Sequence, residues 1–258
     1  MTERLLESYE REGGTNHVDG TNLPSKHAVA GIAIDLLRLL FPGFFDERPV
    51  HSSEVGDVAS SLLHSVLARL ESEIRKSLKY AGAREPGDTD PPKAAHALTR
   101  RFLGNLPRIR ELLLTDTDAA FKGDPAAFSR DEVIVAYPCI EAIAVQRLAH
   151  ELYLENIPLI PRIMTEWAHS RTGIDLHPGA SMELRGQKRH PTPEDRVTVY
   201  AGATIIGGDT IVGAGSTIGA SVFLTRSVPA NSLVVPEATR VRVTPKYSRE
   251  SETFDCQI

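Results

Sequence analysis

The sequence predicts an α+β fold: a helical N-terminal domain, a parallel β-helix of hexapeptide repeats, and an extended C-terminal tail. Three observations carry this reading. Apolar residues recur at helical spacing as far as about residue 172. Between 196 and 228 the helical stripes stop, and glycines and β-branched residues take over. Within that second stretch a large apolar residue returns at every sixth position.

The bulk properties are compatible with that division. A chain of 258 residues makes one large domain or two small ones. With 41% hydrophobic and 24% charged residues it can bury a sizeable core, which excludes wholesale disorder. A net charge of −5 without a long basic run, and only 6% aromatics, argue against nonspecific nucleic-acid binding and base stacking. No run of apolar residues is long enough to span a bilayer, and the polar stretch Met1 to Gly20 lacks a signal core. Cys139 and Cys256 are far apart and form no Cys-x-x-Cys, so neither a disulfide framework nor a cysteine zinc site is expected. The expectation is a soluble, cytoplasmic protein. No H-E-x-x-H, phosphate-cradling glycine loop or G-x-S-x-G elbow occurs, so metal hydrolysis, nucleoside triphosphate chemistry and α/β-hydrolase chemistry have no support.

In chain order, residues 1–25 read as a mobile polar tail and 26–172 as the helical domain. A helix is expected from about Ala28 to Phe41, where Pro42-Gly43 ends it. A second fits 57–79, with Val58, Leu62, Val66, Leu70, Ile74 and Leu78 on one stripe. Gly82, Pro86, Gly87, Pro91 and Pro92 mark a loop. Helices follow at 93–104 and 107–121, and Asp124-Pro125 breaks the pattern. Pro138 suits a first helical turn, and Ile140, Ala144, Leu148 and Leu152 carry a buried stripe onward to about Leu154. A last helix covers 158–171 and ends near Gly173. His150 on its apolar helix reads as structural, and Cys139 as a buried small hydrophobe.

The region 173–236 reads as the β-helix and 237–258 as a flexible tail. Tyr200, Ile206, Val212, Ile218 and Leu224 recur every six residues without a slip. Ala201, Gly207, Gly213, Gly219 and Thr225 follow them, and Thr204, Thr210, Ser216, Val222 and Val228 lie four positions on. Val199, Ile205 and Ile211 are also apolar, so the frame can equally sit one residue earlier. A period of six suits a short strand and a tight turn; three such sides close a triangular coil whose stacked turns bury an aliphatic ladder. In known hexapeptide proteins these coils wind left-handed, an exception to the right-handed crossover rule. A glycine-rich meander is the bland alternative.

Three segments carry a family resemblance. Glu166 to Ala180 read E-W-A-H-S-R-T-G-I-D-L-H-P-G-A, Lys188 to Thr192 read K-R-H-P-T, and 200–211 read Y-A-G-A-T-I-I-G-G-D-T-I. Together they resemble serine O-acetyltransferase, a hexapeptide-repeat acyltransferase of cysteine biosynthesis, over about Asp124 to Pro229. The resemblance implies a left-handed β-helix, a homotrimer or dimer of trimers, acetyl-CoA as co-substrate, L-serine as acceptor, and no metal. It also implies that a histidine base oriented by an aspartate deprotonates the serine hydroxyl, which needs such a base because it is a weak nucleophile.

Carried over by motif, Asp175 in D-L-H-P corresponds to the aspartate of that dyad. Arg189 and His190 in K-R-H-P correspond to the arginine and histidine that help bind the amino acid, His190 being counted with Asp175 among the catalytic positions. Asp124 in G-D-P-A corresponds to a substrate-binding aspartate of the helical domain. Ala201 and Ala220 correspond to backbone positions near CoA, and Lys188 is placed to approach a CoA phosphate. The tail ending in Ile258 resembles one whose terminal isoleucine enters the active site of cysteine synthase, a carboxylate-capture mode of recognition.

One departure matters. The family places a D-H-x-T-G segment, which holds the general base, after the D-x-H-P block. Here Ala180 leads through S-M-E-L-R-G-Q straight to K-R-H-P. Two coils are absent, on the order of 36 residues if each coil is three hexapeptides. His169 and His177 belong to recognised motifs and do not substitute. A processed or engineered deletion, an inactive homologue, and residues dropped from the sequence all fit this absence. Two rival functions stay open beside serine acetylation: a catalytically impaired subunit that binds cysteine synthase, and a hexapeptide acetyltransferase for a sugar or amine.

Overall fold

The computed structural model describes residues 2–11, 15–84, 91–179, 183–184, 187–188, 191–200 and 202–236. Among the described residues eight helices precede the strands: α1 (Thr2–Arg11), α2 (Lys26–Leu40), α3 (Val55–Arg84), α4 (Pro91–Gly104), α5 (Leu106–Gly123), α6 (Arg130–Ala136), α7 (Pro138–Leu154) and α8 (Ile160–Thr172). Two differ from the sequence reading. The stretch 1–25 was expected to be a tail, yet Thr2–Arg11 is helical, with no buried residue. The helix α6 was not expected at all. Its signal is local: the Ser129 hydroxyl caps the helix by accepting from the Glu132 N–H, and Glu132 reaches back to the Phe128 N–H at 2.6 Å.

The helical core follows from periodicity. In α2, Val29, Ile32, Ala33, Leu36, Leu37 and Leu40 fall at i, i+3, i+4, i+7, i+8 and i+11, and all are buried. They meet Val66, Leu70 and Ile74 of the stripe on α3, and Ile140, Ala144, Leu148 and Leu152 of α7. Polar ties set the directions. The Ser25 N–H at the start of α2 donates to the buried Glu73 carboxylate of α3 at 2.8 Å, and Lys76 donates to the other oxygen at 2.6 Å. Cys139 is half-buried against this core, and burial pushes its thiol pKa up, as suits a small hydrophobe rather than a nucleophile. No single helix among the described residues is long and apolar enough to cross a membrane.

Among the described residues nine two-residue strands follow. β1 (Glu183–Leu184) and β2 (Gln187–Lys188) form an antiparallel pair, which replaces the coil expected there. The others are β3 (Thr192–Pro193), β4 (Thr198–Val199), β5 (Thr204–Ile205), β6 (Ile211–Val212), β7 (Thr217–Ile218), β8 (Phe223–Leu224) and β9 (Leu233–Val234). Their pairing is parallel and cyclic: β3 with β6, β4 with β7 and β9, and β5 with β8. Strand n meeting strand n+3 makes a three-sided coil, and Val212 bridging Val228 starts a third turn.

The six-residue frame does slip, contrary to the sequence reading. Each strand of the first turn pairs with a residue 19 positions on, as in Thr192↔Ile211 and Thr204↔Phe223. The inward residues are Val199 and Ile205 in the first turn and Val212, Ile218 and Leu224 in the second. Tyr200 and Ile206, expected inside, are 43% and 45% exposed. The extra residue sits in the turn after Ile206. There Gly207 has φ +102°, the Thr210 N–H donates to Gly207 O, and the Thr210 hydroxyl donates to Ile206 O. Because alternate strand residues face opposite sides, one inserted residue moves the apolar face by one position.

Gly213 is required by a close approach. A Cβ there would lie 2.3 Å from Ala230 N and 2.6 Å from the Pro229 carbonyl carbon. Gly213→Ala is therefore expected to cost about 2 kcal/mol and lower Tm by about 4–8 °C, read by thermal melting. An unchanged Tm would mean the third turn is not seated on Gly213.

Candidate active site

Asp124 ends α5 as its C-cap and sits beside the first coil: a Cβ on its neighbour Gly123 would lie 3.6 Å from the Thr198 hydroxyl of β4. Two groups donate to its carboxylate. The Tyr137 hydroxyl reaches Oδ2 at 2.6 Å, and the Ala126 N–H reaches Oδ1 at 2.9 Å in an Asx turn. Tyr137, first, and then Ala126 hold the Asp124 carboxyl below the ordinary carboxylate range, because both stabilise the charged form. In return the phenol of Tyr137 is pushed up to about 12. The C-terminal half of α5 is fixed by a bidentate pair, Arg147 of α7 donating to Asp116 at 2.7 and 2.8 Å.

Asp175 is placed by the exit from α8. Gly173 takes the left-handed conformation, φ +71°, that ends the helix. The following residues are strapped to α7. His150 Nδ1–H donates to Pro178 O at 2.8 Å, the structural role expected of it. His177 Nδ1 accepts from the Gly179 N–H at 3.0 Å, and its ring meets Tyr153 edge-on with centroids 6.0 Å apart. Ile174, Pro178 and Gly179 are buried by this arrangement while Asp175 is exposed. Asp175 has no hydrogen bond or ion pair with any other described residue. His169 is half-buried on α8, with Nδ1 4.0 Å from the Glu166 carboxylate.

Ala220 lies exposed on the turn after β7, where Ser221 takes φ +57° and the Val222 N–H closes the turn onto Gly219 O. Arg189, His190, Ala201 and Ile258 lie outside the described residues, as does the side chain of Lys188. Among the described residues no three His, Cys, Asp or Glu side chains gather as a metal site. Tyr137 escaped the sequence reading. Its only signal is its position before Pro138, which says nothing of the partner its hydroxyl finds 13 residues earlier.

The first coil is also an edge. Among the described residues, β3, β4 and β5 are paired on one side only. The N–H groups of Thr192 and Glu194 point to the second turn, so the nitrogen of Pro193 between them points the other way. Proline is tolerated there because an edge strand needs no donor on that side.

No family model matches the chain. Among curated proteins it is similar to the plasmid serine acetyltransferase of Synechococcus elongatus, 36% identical over 260 residues that take in 82% of this chain and 81% of the relative. It is also similar to a second serine acetyltransferase of that organism, 32% identical over 164 residues, with 50% of this chain and 67% of that one covered. Among solved structures, native serine acetyltransferase 1 of Entamoeba histolytica matches with a TM-score of 0.60 at 27% identity, covering 91% of this chain and 96% of that one. The same Entamoeba protein in complex with L-cysteine matches with a TM-score of 0.59 at 25% identity, covering 82% and 99%.

These alignments are longer than the parts of this chain they use. An alignment of 164 residues against 50% of 258 leaves about 35 positions without a counterpart here. The serine acetyltransferase of Mycobacterium tuberculosis, aligned over 123 residues to 34% of the chain, leaves about 35 again. The turns of the stack take 19 residues and then 16, as in Thr198↔Thr217 and Thr217↔Leu233.

Proposed function

The chain belongs to the serine acetyltransferase family, and from that membership we propose that it transfers the acetyl group of acetyl-CoA to L-serine, giving O-acetyl-L-serine and CoA. The observation that carries this reading is the 36% identity to a serine acetyltransferase across four-fifths of both chains. The serine hydroxyl oxygen attacks the acetyl carbonyl carbon, the carbon–sulfur bond breaks, and the hydroxyl proton ends on the CoA sulfur. Asp124, held ionised by Tyr137 and Ala126, is suited to meet the serine ammonium. Arg189 and His190 are proposed to complete the amino-acid site, with Lys188, Ala201 and Ala220 along the CoA path. No residue of the proposal requires a metal.

The finer assignments belong to the same reading. The coils wind left-handed, the protein assembles as a trimer or a dimer of trimers in the cytoplasm, and the tail through Ile258 docks on cysteine synthase. The apolar residues left exposed on the coil faces, among them Ile211, Phe223 and Leu233, support burial against further copies.

A second reading starts from the sequence between Ala180 and Lys188, which lacks the D-H-x-T-G segment expected to hold the general base, and from Asp175, which meets no imidazole among the described residues. The chain as written then binds its substrates and transfers slowly, and its weight falls on partner binding.

Release of CoA from acetyl-CoA with and without L-serine, alongside calorimetric binding of L-serine, tests both. Asp124→Asn is expected to weaken L-serine binding about 10²-fold, since it leaves the ammonium without its counter-charge. Serine binding that Asp124→Asn leaves unaltered would remove Asp124 from the site. An absence of both serine binding and serine-dependent CoA release would remove the activity altogether.

A further inference from the structure

We propose that Tyr137 is a positioning residue for the amino-acid acceptor, holding the Asp124 carboxylate in the one orientation from which it meets the substrate ammonium. The proposal rests on the reading of Asp124 as substrate-binding and adds to it a residue that family motifs did not supply.

The argument starts from where Asp124 stands. It is the C-cap of an 18-residue helix, with φ −116° and ψ 104°. The C-terminal end of a helix carries partial negative charge, so an anion there is disfavoured unless donors offset it. Two do, one on each oxygen, from Tyr137 and Ala126. An ionised carboxylate offers about four acceptor sites, so two stay open for a further donor. The Ala126 N–H comes from the same turn and moves with Asp124. Tyr137 comes from a different element and ties the carboxylate to the rest of the bundle.

Tyr137 is itself rigid. Its N–H donates to Val133 O at 3.3 Å, closing α6, and Pro138 opens α7 directly after it. The residue before a proline is confined to extended backbone, and Tyr137 has φ −88° and ψ 116°. The hydroxyl is therefore aimed by a junction of two helices. With its pKa near 12 it remains a donor, and does not act as a base, throughout the neutral range. Glu132 of α6 and Cys139 of α7 are the other titratable groups that act on it, and both favour the protonated phenol.

Replacing Tyr137 by Phe removes the donor and keeps the ring. The expected results are L-serine binding weakened about tenfold by calorimetry and an upward move of the Asp124 carboxyl midpoint in a ¹³C NMR titration of the full chain. The sign follows from the depressed carboxyl. With Tyr137 present, serine binding persists to lower pH; without it, binding fades at a higher pH. A second variant, 3-fluorotyrosine at 137, keeps the fold and strengthens the donor, and should move the midpoint down. An Asp124 titration unmoved by either change overturns the proposal. A midpoint that moves while serine binding does not also overturns it. If Asp124→Asn nevertheless weakens binding in that case, the reading of Asp124 stands without Tyr137; if it does not, that reading has failed as well.

Discussion

Inserting after Ala180 two hexapeptide coils that carry the D-H-x-T-G segment is expected to raise serine-dependent CoA release by about 10²–10⁴-fold, the usual contribution of a positioned general base. The stack is built to accept it. Among the described residues the first coil pairs on one side only, and the N–H groups of Val199 and Ile205 in β4 and β5 find no backbone partner on the other. Pro193 withholds a single bond from the new interface. Asp175 lies at the exit of α8 with an exposed carboxylate that meets no partner among the described residues. The same logic makes Asp175→Asn diagnostic. In the chain as written it should change CoA release little, because there is no imidazole for it to orient. In the extended chain it should cost up to about 10⁴-fold, as loss of the orienting carboxylate does in acyl-transfer dyads. An extended chain that binds L-serine yet turns over no faster than the parent would show that the gap is not where the base belongs.

Ile218→Ala is expected to unfold the coil stack while leaving the helices standing. The two cores are separate. One gathers α2 to α8, and the other is only Val212, Ile218, Val222, Leu224 and Val228 with partly buried neighbours. Ile218 is fully buried in β7, the central strand of β4-β7-β9. Truncating such a residue costs about 2–5 kcal/mol, and a core of five buried residues has little in reserve. Hydrogen exchange should show amides of 192–234 losing protection while those of α2 and α7 keep theirs. Equal loss in both regions would mean that helices and coil unfold as one unit.

Much of this architecture was legible in the residues. Periodicity is local: a stripe such as Val29 to Leu40 or Ile140 to Leu152 states both that a helix forms and which face is buried. The cadence of apolar residues after Gly173 announced a stacked coil for the same reason. The motifs also pointed to Asp124 and Asp175 as candidate acidic positions. What the one-dimensional pattern could not show was the frame. Val199-Tyr200 and Ile205-Ile206 are apolar pairs, either member of which fits inside, and only strand pairing reveals that the turn after Ile206 holds one residue more. Nor could it show α6, whose cap outweighs its short length, or the bond from Tyr137 to Asp124. Caps, pairings and hydrogen bonds across helices depend on which groups the folded chain brings within 3 Å. Sequence alone determined most of the elements and the family. The tertiary structure alone decided which face of each coil is buried and what holds each carboxylate, because those are properties of distance and not of order along the chain.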